Sequence, residues 1–268
     1  MTIPGGNFAR SLMDRRTLLF QLVRRDFEQR FVGSAAGWLW GLIHPVVLLV
    51  SWIFVFQVCM HATLPPNEVT HNYSLFLFCG FLPWLLFQET VVRSASSLLD
   101  NTNLITKTVF PSEIVPISIF LSSLLSHLMA LALVIAVVGI YNGHFSLWML
   151  SLPIYMILIG LFSIGVGWFV SSLQVYLRDT AQVISVVLTF WFWMTPIFID
   201  EQIYPDRFRF LLRANPLAFV VRAYRDRLLS YRIPSLSDLA LVTAYAVTVF
   251  VLGGLFFRHL KRGFADVL

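Results

Sequence analysis

Six long apolar runs, at residues 41–60, 73–92, 114–140, 147–172, 181–199 and 239–257, dominate the pattern of this chain. Each has about the 20 residues a helix needs to cross roughly 30 Å of hydrocarbon. Backbone polar groups in lipid must be satisfied within their own segment, so the runs predict helices and an all-α fold with six transmembrane spans. No repeat or low-complexity linker separates them, and residues 1–268 read as one membrane domain. Two further segments are amphipathic rather than apolar. In residues 10–36, Leu19, Val23 and Phe27 repeat at i, i+4 and i+8, joined by Phe20 and Phe31, while Arg16, Arg24, Asp26, Glu28 and Arg30 take other faces. That pattern predicts a basic helix lying on the membrane surface. In residues 200–237, Asn215-Pro216 reads as an N-cap followed by proline at the first helical position. Leu217, Val220, Tyr224 and Leu228 follow at helical spacing, with Arg222, Arg225 and Asp226 away from them. An arginine at mid-membrane costs about 2.5–3.5 kcal/mol, which excludes a simple span here. The expectation is an amphipathic helix at, or dipping partly into, the outer interface.

Composition agrees with a polytopic protein. The chain is 58% hydrophobic and 12% charged, with a mean hydropathy of +0.78. A soluble domain carries about 25% charged residues, so a water-facing surface cannot be built from this sequence. A net charge of +5 would suggest nucleic acid in a soluble protein, but in a membrane protein it reflects Lys and Arg held on the cytoplasmic side. Six arginines precede the first span, Arg93 and Lys107 follow the second, Arg178 follows the fourth, and Arg258, Lys261 and Arg262 follow the last. These twelve favour both termini inside, against seven arginines in the connection between spans five and six. Cys59 and Cys79 both fall in or beside apolar runs and read as buried thiols rather than as a disulfide or zinc site.

Several chemistries are missing. No G-x-x-x-x-G-K-[ST], H-E-x-x-H or G-x-S-x-G sequence occurs. Carboxylates within spans are nearly absent, Glu89 being the main candidate, whereas ion-coupled transporters place ionisable groups in mid-membrane. A transporter of this composition needs an outside source of energy. Arg25-Asp26, Arg30-Phe31, Ser34, Gly37, Trp40 and Pro45 form the series RD…RF…S…G…W…P. Residues 103–113, NLITKTVFPSE, then Val175-Tyr-Leu-Arg-Asp179, Thr195-Pro-Ile197 and Asn215-Pro-Leu217 follow in order. Together they resemble the permease subunits of the type-2 ATP-binding-cassette export family, in the branch exporting lipid-linked polysaccharides and polyol phosphates such as O-antigen, capsule and teichoic acid. The resemblance runs over nearly the whole chain. Departures are mild: Phe31 for a common Tyr, Ala36 for a common Leu, Thr195 for a common Ser.

The resemblance implies a homodimer of this permease in the bacterial cytoplasmic membrane, with two ATPase subunits beneath that bind ATP and Mg, so that this chain itself holds no cofactor and is not an enzyme. Its cargo would be a lipid-linked glycan, and no nucleic acid is involved. The ATPase-coupling interface would comprise Arg25, Asp26, Arg30, Ile105, Lys107, Phe110, Pro111, Glu113, Arg178 and Asp179. An apolar anchor with flanking charges is what a docking helix needs, and Ile105, Phe110, Lys107 and Glu113 supply both. Arg178 and Asp179 would pair with neighbours or with Arg25 and Asp26, in a structural or a transmitting role. Sugar rings stack on aromatics, so Trp52, Phe56, Trp84, Phe190, Trp191 and Trp193 are candidates for a glycan path, although interfacial belts and packing account for any one of them better. Arg222 and Arg225 would gate the outer end and meet the carrier's pyrophosphate, since guanidinium forks suit phosphate oxygens. Two alternatives stand beside this reading: an exporter of the same family for a drug or small lipid, and an integral-membrane glycosyltransferase. The latter needs a carboxylate base or metal ligand on the outer side, where the first connection offers only Glu68.

Overall fold

The computed structural model describes residues 15–30, 33–35, 37–61, 64, 72–107, 110–142, 146–199, 201–230 and 235–267. Arg10, Phe31, Ala36, Glu68, Val109 and Arg232, invoked above, lie outside the described residues, as does the side chain of Lys107. The described residues form helices and turns, with no strand among them. In chain order the helices are α1 (Arg16–Gln29), α2 (Trp40–Ile53, continued by a π-turn over Phe54–Cys59), α3 (Tyr73–Asp100), α4 (Thr102–Lys107), α5 (Ile114–Asn142) and α6 (Leu152–Tyr176). There follow α7 (Thr180–Met194), α8 (Arg209–Ala214), α9 (Pro216–Arg225, continued by a π-turn over Asp226–Ser230), α10 (Leu236–Leu260) and α11 (Phe264–Val267).

Helix α3 is the centre of the bundle. Asn72 starts it by accepting hydrogen bonds from the Ser74 and Leu75 amides at 3.0 and 3.3 Å, an ordinary N-cap. Leu77, Trp84, Phe87, Val91, Ala95 and Leu98 along it are wholly buried. Helix α6 packs beside it, and its glycines each serve a different neighbour. A Cβ on Gly160 would meet the Phe120 ring of α5 at 2.5 Å, and one on Gly167 would meet Ser94 of α3 at 2.9 Å. Gly165 faces α10, where a Cβ on Gly253 would lie 2.1 Å from the Gly165 carbonyl oxygen. Small residues let backbones touch where lipid offers no hydrophobic drive to associate.

Among the described residues, five helical segments are long and apolar enough to cross a membrane: Gly37–Cys59, Tyr73–Asp100, Ile114–Ile140, Leu147–Tyr176 and Leu236–Gly263. The expected span over 181–199 is only the 15-residue α7, about 22 Å at 1.5 Å per residue. The reason is local. Pro196 pushes Thr195 into the extended region (φ −90°, ψ 135°), and the helix stops there. Asn215 reinforces the stop by donating from Nδ2 to Thr195 Oγ1 at 3.0 Å.

The second amphipathic segment packs more deeply than its pattern indicates. All of α9 except Arg222 is buried, including Arg225. Leu217 sits among Ile159 and Phe162 of α6, whereas Arg227 reaches Tyr155 and Ser151 near the start of that helix. Helix α9 therefore runs antiparallel along the first half of α6, inside the bundle rather than on it. Helix α2 is the opposite case: Trp40, Val47, Val50 and Phe54 are all exposed. Cys79 is buried as expected, but Cys59 is exposed on the π-turn after α2.

Candidate functional site

A cluster of four charges joins α1 to α3 and α5. Arg30, just past the end of α1, donates from Nη1 to Glu89 and to Ser126 Oγ (3.2 Å), and from Nη2 to Ser123 Oγ (3.0 Å). Asp26 accepts from Arg93 Nη2 at 2.5 Å. Asp26 of α1 and Arg30 at its C-cap are one turn apart, as are Glu89 and Arg93 on α3, so each segment contributes one acid and one base. Burial pulls the Arg30 guanidinium below the ordinary arginine range, and the Glu89 charge opposes that shift. Arg30 Nε, Arg93 Nη1 and Asp26 Oδ2 are buried with no hydrogen-bond partner among the described residues. One residue further from the cluster, Arg25 donates to Asn101 Oδ1 at the end of α3.

Two clefts flank the cluster and share Arg30 and Arg93 as lining. One, about 480 Å³, lies between α2, α3, α5 and α7 and carries Trp40, Trp52, Phe81 and Phe192. The other, about 710 Å³, lies between α1, α3 and α5 and is polar, with Arg25, Asp100, Asn101 and Ser118 on its walls.

The remaining coupling candidates scatter. Ile105 of α4 and Phe110 are half-buried against the core. The Pro111 carbonyl accepts from the Ile114 amide at 2.9 Å, which opens α5. Glu113 takes Lys261 Nζ on both carboxylate oxygens (2.8 and 2.7 Å), and its carbonyl accepts from Trp168 Nε1 at 3.0 Å. Arg178 and Asp179 are exposed at the α6–α7 corner and join no ion pair among the described residues. Arg25 and Asp26 are engaged by Asn101 and Arg93 instead, so the pairing of the two segments does not form.

The aromatic candidates separate into three groups. Trp52 packs with Phe81, Phe192 and Phe198 at ring distances of 4.7, 5.4 and 5.0 Å, and Phe56 lies 4.9 Å from Phe198. Trp84 and Trp191 are internal: Trp84 Nε1 donates to Gln88 at 2.6 Å and Trp191 Nε1 to Asn215 Oδ1 at 2.9 Å. Phe190 and Trp193 project outward, 69% and 58% exposed. The two candidate gate arginines are both engaged. Arg222 is held by Glu201 and, at 2.8 Å, by Asp238. Arg225, expected on a polar face, is instead buried over the Phe76 ring and donates to the carbonyls of Phe76, Pro196 and Ile197 at 3.3, 2.7 and 2.6 Å. Carbonyl acceptors make its burial tolerable, as its own helix could not.

Sequence reading missed Trp40 and Phe81 as cleft walls and Arg93 as a partner of Asp26, whereas Phe192 falls in the aromatic run 190–193 considered for a glycan path. The signal available was Glu89-x-x-x-Arg93, an i,i+4 acid–base pair at the end of an apolar run, matched by Asp26-x-x-x-Arg30. Lys261 and Phe264 were also missed, since no local pattern announces that the C-terminal turn folds back on α6 and Glu113.

Residues 17–229 match the family model of the ABC-2 type transporter, and the chain belongs to that family. Among curated relatives, an O-antigen export system permease protein RfbA of Myxococcus xanthus is 28% identical over 260 residues, covering 96% of this chain and 97% of the relative. A protein of the same description from Klebsiella pneumoniae is 29% identical over 256 residues, covering 94% and 95%.

Proposed function

We propose that this chain is the permease subunit of an ATP-driven exporter that moves a lipid-linked polysaccharide, of the O-antigen or a related class, across the bacterial cytoplasmic membrane. The observation that carries this reading is the near full-length correspondence to permeases described as O-antigen exporters. Two copies of the chain form the pathway, with both termini in the cytoplasm, and two separate ATPase subunits bind ATP and Mg. Helix α1 and the α4 segment sit at the ATPase side. Force applied to α1 reaches α3 and α5 together, because Arg30 bonds to Glu89 of the one and to Ser123 and Ser126 of the other. The short α7 makes the fifth of six crossings, and α8 and α9 fold back as a re-entrant outer segment that closes the external end, pinned by Arg225. The test is deletion of the gene in its host, with the cell-surface polysaccharide and the cytoplasmic pool of lipid-linked glycan both measured. Loss of the first with accumulation of the second is expected. Unchanged surface polysaccharide with a lost drug or lipid phenotype would assign a different cargo. Co-purification of an ATPase subunit checks the partner.

A further inference from the structure

The arginines that clamp α1 also line a cleft with the make-up of a ligand site. At about 480 Å³ the cleft is within the range of small-molecule pockets, with apolar and aromatic walls and a few convergent polar groups. Arg30, Arg93 and Glu89 supply its charged lining; Trp40, Trp52, Phe81 and Phe192 supply aromatic walls, Trp40 and Trp52 lying about 18 Å apart along α2. Arg30 Nε and Arg93 Nη1 are closed off from solvent without a hydrogen-bond partner among the described residues, and Arg93 Nη1 lies 3.8 Å from Glu89 Oε1, so both guanidinium groups have donor capacity that a shift of the carboxylates would release. The second cleft gives the same arginines a polar approach along α1. A ligand suited to this lining has an anionic group with several acceptor oxygens at one end and a ring-bearing or apolar body at the other. Guanidinium forks match phosphate oxygens, and flat aromatic faces match sugar rings or a prenyl stem.

We propose that this cleft is the site at which the permease takes the phosphoryl end of its lipid-linked cargo, with Arg30 and Arg93 on the phosphate and Trp40, Trp52 and Phe192 on the adjoining body. The proposal rests on the export reading above. It relocates the phosphate contact from Arg222 and Arg225, whose guanidinium groups are committed to carboxylates and to backbone carbonyls. A consequence follows from charge balance. Arg30 and Arg93 are neutralised by Asp26 and Glu89, so a phosphate carrying between one and two negative charges must displace a carboxylate to bind. Either displacement loosens α1 from α3. Cargo in the cleft thus reports to the helix on the ATPase side.

The experiment uses the intact permease–ATPase complex in lipid nanodiscs and a photoreactive polyprenyl phosphate. Labelling is expected on residues 40–52 and 81–93, competed by polyprenyl phosphate but not by polyprenol or phosphatidylglycerol. Ala130→Phe, which fills the cleft without touching the charges, should abolish that labelling, and the paired exchange Asp26→Asn with Arg93→Gln should lower it about tenfold, the effect of losing one charge-assisted hydrogen bond. Labelling elsewhere, labelling indifferent to Ala130→Phe, or equal competition by polyprenol overturns the proposal. Equal competition by phosphatidylglycerol assigns the cleft to bulk lipid and overturns it too. If the paired exchange fails to assemble, Ala130→Phe decides alone. The export reading is separately exposed: a deletion strain that loses surface polysaccharide while the cleft stays unlabelled sinks this site and leaves export standing.

Discussion

Helices α1 and α9 look alike in sequence, since each sets arginines against an apolar stripe, yet the fold uses them in opposite ways. In α1 and just beyond it, Asp26 and Arg30 meet side chains of α3 and α5, and the pairs remain partly open to solvent. In α9, Arg225 meets backbone carbonyls and an aromatic face in the interior. The difference lies in what the partner can do. A carboxylate can exchange one cation for another, or yield to a competing anion. A backbone carbonyl held in a turn cannot leave. Arginines of the first kind suit a clamp that opens, and those of the second kind suit a pin that does not.

That contrast breaks most easily at Arg225. Arg225→Ala strands three carbonyls and a cavity, and a loss of about 3–5 kcal/mol is expected, the cost of breaking a buried charged network. Thermal unfolding in detergent and the yield of assembled complex measure it; wild-type values for both would make Arg225 dispensable and dissolve the contrast. Gly80 is the seat of that guanidinium, since a Cβ there would stand 2.5 Å from Arg225 Nη2. Gly80→Ala should cost about 1–3 kcal/mol by overpacking, and a chain as stable as wild type would mean that the pin tolerates a shift. On the clamp, Glu89→Gln removes a partly buried charge partner at about 1–3 kcal/mol, leaving assembly intact while altering ATPase stimulation by cargo. Restoration of coupling by exchanging the partners, Arg30→Glu with Glu89→Arg, separates a pairwise role from a general loss of fold. Smallest of all, Arg24→Ala breaks an exposed i,i+4 pair with Glu28 and should change neither stability nor coupling. A coupling defect in that variant would move the important surface of α1 outward, toward the partner.

How much of this was legible depended on range. Asn215-Pro216 announced the start of α9, and its side chain does cap the Leu217 amide at 3.0 Å, because an N-cap is a local event. The 181–199 run read as a helix of full length because its apolarity outran the consequence of Pro196, a short-range effect that a longer window averages away. That Phe81 and Phe192 form one cleft wall was illegible in principle. They stand 111 positions apart, and nothing at either position marks which face of its helix turns toward the other.

The amino-acid order by itself determined the class of molecule: helices, a membrane and a likeness to a family of permeases. Those properties follow from composition, period and short motifs, each readable within a few turns of chain. Only the tertiary structure decided which arginines are free to work. The energy of a buried charge is set by what surrounds it in space. Arg30 and Arg225 are the same residue in similar local patterns, and the partners that distinguish them, Glu89 and the Pro196 and Ile197 carbonyls, arrive from 59, 29 and 28 positions away.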